Sequence, residues 1–321
     1  GADYYQLERA ARAPLIEDTQ NWSPWKPAQN GALVTAPGPR RFIQFSLDFA
    51  GALYDTRQVG QLQFDYLQPP IADTLRAEVY PRLARAEEPA TFHYAVKLRT
   101  AGPVRGFDRL EVDTNVPVTA VRQLRIQGRP VAFTADLDYP DSFRLDFPLV
   151  QEDGAVLEFA FDLPIFRFGT TFSGRAYHHS FPGVPQRLEA GEAVDFGPGD
   201  VPELSGLSVA IPQSQVGKLV GEIALHGRVF TPNGDGVNDT VEMGFNLLQL
   251  TRPTLVVWEV HDLSGRRVHT VFAEERRIGP ATYQWDGRAA GGLLPPGNYI
   301  WVLRVQAAAF EGAVVDRGHE R

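Results

Sequence analysis

The chain of 321 residues contains no cysteine. That excludes disulfides, thiolate nucleophiles and Cys-ligated zinc or iron–sulfur centres in one step. Methionine is nearly missing as well. Met243 is the single one and the chain opens on Gly1, as a chain relieved of a signal segment or a fragment of a longer one would; we expect the former, an exported chain, periplasmic or at the cell surface. A lipid anchor upstream of Gly1 would then be one way of holding it at a membrane. Lysine is confined to Lys26, Lys97 and Lys218, and the net charge is −8. An excess of negative charge speaks against binding nucleic acid or an anionic membrane through overall electrostatics. No apolar run reaches the ~18 residues that a spanning helix needs, so no transmembrane segment is expected.

Long helical periodicities are also scarce. With 30 Gly and 25 Pro, that scarcity favours an all-β architecture rich in turns. Hydrophobic residues at 43 % are enough to build real cores. Catalytic signatures are absent too: there is no H-E-x-x-H, G-x-S-x-G, P-loop or dinucleotide-binding glycine pattern. His93, His226, His261, His269 and His319 are scattered. His178 and His179 are adjacent, and on a strand they would face opposite ways, so the pattern predicts no joint ligation. The pairs Glu87-Glu88, Asp136/Asp138 and Glu274-Glu275 read as solvated turns and strand edges. The expectation is a chain that is not an enzyme.

What is present divides into four stretches. Residues 1–40 read as an extended arm. Tyr4, Tyr5, Trp22 and Trp25 lie in it between Pro-rich breaks, and such aromatics either fold back onto a core or anchor a partner. Residues 41–88 read as a β-rich region, either part of a first sandwich or flanking it, with period-2 runs at 43–49, 61–67 and 74–80. Residues 89–225 carry short alternating runs at 92–98, 107–112, 118–126, 131–134, 143–147 and 156–161. A strand, bend and strand follow at 164–177, then a loose stretch at 180–205, one more strand at 207–211 and a linker or edge segment at 213–225. That rhythm is a sandwich's. Residues 226–321 form a last sandwich. The architecture expected is two or three β-sandwich domains, Ig-like or jelly-roll-like, in tandem.

One loop is unusually dense in oxygen: Thr231-Pro232-Asn233-Gly234-Asp235-Gly236-Val237-Asn238-Asp239-Thr240-Val241-Glu242. Counted from Thr231 it approximates the calcium loop D-x-[DN]-x-[DN]-G-x5-E. Asn233, Asp235, the Val237 carbonyl, Asp239 and Glu242 would be the ligands of a Ca2+ ion. Thr231 stands where Asp is usual and removes one charge. The alternative is a metal-free Asx/Gly turn entering a strand.

From that loop onward, four markers occur in order. They are Phe230–Thr240, Trp258–Val268, Trp285-Asp286-Gly287-Arg288 and Pro295-Pro296-Gly297-Asn298-Tyr299-Ile300. Together they resemble the Ig-like module of flagellar hook-cap proteins and the C-terminal modules of bacterial secreted and gliding-motility surface proteins. The match covers about 80 residues. The runs at 45–49, 62–66 and 77–80, with Trp22-Ser23 before them, resemble half of a discoidin-type jelly roll in pattern. The first resemblance implies a non-catalytic sandwich used for spacing, assembly or surface attachment. We therefore expect a structural or interaction subunit docked on protein subunits of a larger membrane or envelope assembly. The competing expectation is a carbohydrate-binding or adhesive module.

Overall fold

The computed structural model describes residues 6, 8, 18–32, 34, 36, 38–47, 58–212 and 218–306, with the backbone of 314–317. The chain divides into two units, Gly1–Tyr66 and Leu67–Arg321. Apart from a 3-10 turn at Pro202–Leu204, the named elements of the second unit are strands. The protein is all-β.

The second unit begins with β1 (Thr74–Tyr80), β2 (Pro89–Arg99), β3 (Phe107–Asp113) and β4 (Ala120–Ile126). Next come β5 (Arg129–Pro130), β6 (Thr134–Asp136), β7 (Ser142–Val150) and β8 (Val156–Pro164). Short strands β9 (Gly169–Thr171), β10 (Gly174–Tyr177), β11 (Gln186–Arg187), β12 (Glu189–Ala190) and β13 (Ser208–Ala210) complete a first sandwich. One sheet runs β12-β1-β2-β8-β4-β5 and the other β11-β10-β3-β7-β6, with β13-β9 as a separate pair.

Alternation aims one face of each sheet inward. Leu110 and Val112 of β3, Phe143 and Leu145 of β7, and Leu157, Phe159 and Phe161 of β8 are buried together. Phe143 meets Phe161 across the two sheets at 5.3 Å between centroids, and Phe161 meets Phe172 edge-on at 5.1 Å. Such ring pairs add about 0.5–1.5 kcal/mol each beyond the area they bury.

A second sandwich follows: β14 (Val220–His226), β15 (Val241–Leu247), β16 (Thr254–His261), β17 (Arg267–Arg276) and β18 (Gly279–Trp285). A small hairpin of β19 (Arg288–Ala289) and β20 (Gly292–Leu293) precedes β21 (Ile300–Val305) and β22 (Val314–Arg317). Its sheets run β14-β15-β18 and β17-β16-β21-β22. Met243, Phe245, Trp258, Phe272 and Leu303 fill the space between them.

β1 pairs with β2 from Thr74↔Arg99 to Tyr80↔His93, so residues 74–80 of the 41–88 stretch belong to the first sandwich. Residues 220–226, read as linker or edge, form β14, the edge strand of the sheet β14-β15-β18. The alternating runs at 42–47 and 61–67 are not strands among the described residues. An alternating segment becomes a strand only when a neighbour accepts its ladder.

Candidate interaction surfaces

In the first unit, Tyr4 and Tyr5 lie outside the described residues. Asp18 starts a turn by accepting Asn21 N–H at 3.2 Å and Asn21 Nδ2 at 2.7 Å. The Asn21 side chain holds the Asp18 carboxyl below its ordinary range. Beyond that turn Trp22 and Trp25 stand 44 % and 53 % exposed. Val34, Phe42, Ile43, Phe45, Leu47, Val59, Leu62, Phe64 and Tyr66 are exposed as well. Phe45 and Phe64 approach to 5.2 Å between centroids, and Phe64 and Tyr66 to 6.3 Å. Among the described residues, eleven exposed large apolar side chains lie at 22–66 and nine at 67–306. Scattered apolar residues are normal on a surface, whereas these eleven crowd into one stretch of the chain.

The oxygen-rich loop before β15 is a set of nested Asx turns. Asp239 Oδ1 accepts Gly234 N–H at 2.8 Å and Oδ2 accepts Gly236 N–H at 2.7 Å. Asp235 accepts Val237 N–H at 2.8 Å and Asn233 Nδ2 at 2.9 Å, while Asn233 Oδ1 accepts Asp235 N–H at 3.0 Å. The Asn233 side chain, helped by the Val237 amide, holds the Asp235 carboxyl low. Val237 is exposed. Glu242 lies on β15, opposite Gln284 of β18, and accepts Gln284 Nε2 at 2.8 Å. Thus Asn233, Asp235 and Asp239 are brought together around their own amides, and Glu242 is engaged across the ladder.

The other three markers are turn locks. Asp262 caps the β16–β17 turn, accepting Ser264 and Arg266 N–H at 3.0 Å each, and Gly265 there has φ +84°. Trp285 donates its indole N–H to Arg288 O at 2.8 Å. Phe230 packs against Trp285 at 5.7 Å, and a Cβ on Gly287 would lie 3.0 Å from the Phe230 ring. Tyr299 donates its hydroxyl to Pro295 O at 2.6 Å. Marker residues far apart in sequence therefore meet in one module.

The two sandwiches share a junction that residue patterns alone did not disclose. Glu87, in the β1–β2 connector, accepts Glu222 N–H at 3.2 Å and Asn246 Nδ2 at 2.7 Å. Gly221 makes room for it, since a Cβ there would sit 2.0 Å from Glu87 Oε2. Gln249 N–H donates to Phe166 O at 3.0 Å, and Gln249 Oε1 accepts Phe168 N–H at 2.9 Å. Arg277 pairs with Asp141 at 2.7 Å, and Leu248 belongs to the first core. No helix among the described residues is long and apolar enough to cross a membrane.

No known protein-family pattern matches the chain, and no curated protein matches it. Solved structures give weak likenesses. A purple acid phosphatase from yellow lupin (Lupinus luteus) seeds aligns at 9 % identity and TM-score 0.29, over 76 % of this chain and 40 % of that one. The D0-D1 domain of intimin aligns at 12 % and 0.19, over 73 % and 91 %. The pilus backbone RrgB of Streptococcus pneumoniae aligns at 8 % and 0.25, over 66 % and 47 %. The chain thus spans less than half of the phosphatase and of the pilus subunit. Scores this low place no residue and no activity.

Proposed function

We propose that this chain is a non-catalytic, exported structural or interaction subunit. It docks on protein subunits of a larger membrane or cell-envelope assembly, on the extracytoplasmic side, and stabilises it. The observation that carries this reading is the concentration of exposed aromatic and aliphatic side chains at 22–66. Trp and Tyr dominate the energetics of protein contacts because they bury much area at little conformational cost. The two sandwiches of the second unit supply a spacer. The resemblance of residues 230–300 to hook-cap Ig-like modules supports the same spacing role.

The test is purification of the full chain under mild conditions, parent against a variant carrying Trp22→Ala, Trp25→Ala, Phe45→Ser and Phe64→Ser. The variant is expected to lose co-purifying subunits at least about tenfold, as loss of hot-spot residues would give, with the melting of the sandwiches unchanged. Equal recovery of partners by the variant would overturn the reading. So would a partner-free parent that binds a glycan array, the outcome an adhesive module requires.

A further inference from the structure

We infer that Asp108, His178 and His179 form a binding site for a single divalent transition-metal ion, zinc being the best fit. On an ideal strand consecutive histidines diverge, but β10 stops at Tyr177. Up to that point the β10–β3 register is Gly174↔Val112 through Tyr177↔Arg109. One further step sets His178 opposite Asp108, and directly opposed residues of an antiparallel pair share a face. The chain then turns: Phe181 N–H donates to His178 O at 2.8 Å. That turn brings His179 back over the same carboxylate. Its backbone N–H donates to Asp108 Oδ1 at 2.8 Å, and its ring Nδ1 contacts Asp108 Oδ2. The two imidazoles stack at 4.6 Å between centroids.

One ligand atom from each of the three residues lies within 4.8 Å of the others. Tetrahedral zinc with bonds of about 2.0–2.1 Å holds its ligand atoms about 3.3 Å apart. Binding would therefore require the side chains to rotate and the two stacked rings to part, so that their nitrogens converge on the ion. An ion entering between Oδ2 and the rings replaces the direct Asp108–His179 contact. One bond is given up: His178 Nδ1 accepts Ser180 N–H at 3.2 Å, and that amide opposes metal binding through either ring nitrogen.

Asp108 is the sheltered member of the trio. The Asp108 side chain is 14 % exposed while that of His179 is 67 % exposed. A sheltered carboxylate beside an open imidazole gives three protein ligands and a fourth position facing water, the arrangement of an accessible zinc site. Two imidazoles select zinc, nickel or copper over calcium and magnesium. β3 also carries a register shift against β7 between Phe107 and Arg109, and bulges of this kind re-aim side chains beside sites. The ion would tie β3 to the turn after β10.

The test titrates ZnCl2 into the full chain, stripped of metal, by calorimetry and native mass spectrometry. One saturable ion per chain is expected. Asp108→Asn keeps the shape but removes a charged ligand, and should weaken binding at least as much as the about 10–100-fold that losing a ligand's hydrogen-bonding partner costs. The double change His178→Ala/His179→Ala should abolish it, and His226→Gln should leave it unchanged. Cobalt substitution should give the d–d bands of a tetrahedral nitrogen/oxygen site, which Asp108→Asn shifts. Absence of one-site uptake by the parent, or equal uptake by the double variant, would overturn the inference. Circular dichroism and melting of each variant separate lost ligands from lost folding.

Discussion

Glu259 is 6 % exposed in the middle of β16, on the outer face of its sheet. Arg267 of β17 reaches it at 2.9 Å, Arg304 of β21 at 3.2 Å and His261 at 3.3 Å. Burial alone would raise its pKa. The hydrogen bonds from Arg267 and His261, with the charge of Arg304, outweigh burial and hold it below its ordinary 4.5. A carboxylate with a lowered folded-state pKa stabilises the fold above its unfolded value, and that stabilisation fades as pH falls through the folded value. Glu259→Gln is therefore expected to cost about 1–2 kcal/mol near neutral pH. The gap between parent and variant should narrow as pH falls below the ordinary carboxylate range, as urea unfolding at neutral and at acid pH would report. Tyr94 is a second residue whose polar end matters. Its hydroxyl donates to Phe172 O at 2.9 Å, and burial, then the charge of Asp113, push the phenol far above its usual range.

At the scale of elements, the loop at 231–242 shows how a ligand pattern and a turn pattern use the same residues. Asn, Asp and Gly suit both, because short oxygen side chains reach their own amides and Gly takes positive φ. Gly234 and Gly236 have φ of +83° and +82°, and the three side chains nearest them serve backbone N–H groups. These bonds are internal partners that an ion would have to replace. Calcium at millimolar concentration is expected to shift thermal melting by less than about 1 °C, because an ion stabilises only what it binds in the folded form. Asp239→Ala removes the acceptor of two amides and should cost about 1 kcal/mol. Calcium that raised the parent's melting temperature and failed to raise that of the variant would contradict this account.

For the molecule as a whole, the relation between the sandwiches rests on few residues. Gly221→Ala drives its Cβ into the Glu87 carboxylate, which is the end of a flexible side chain and swings away. It then gives up the Glu222 and Asn246 bonds, a loss of about 1–3 kcal/mol in coupling. Hydrogen exchange should quicken at 219–222 and 246–249 while both cores keep their protection. Unchanged exchange would show that the remaining contacts at Gln249 and Arg277 suffice. Composition and alternation by themselves determined the class of fold: the strand runs at 74–80, 92–98, 143–147 and 156–161 follow from side chains that must point in alternately. The turn chemistry at Asp262 and at Asp286-Gly287 was readable for the same reason, since it acts within a few residues. Tertiary structure decided what depends on distant partners. It left the runs at 42–47 and 61–67 without a ladder, drew 220–226 into a sheet, and turned His178 and His179 onto Asp108. Period-2 patterning says which way a residue faces only while a strand lasts, and where a strand ends is set by its neighbours in space.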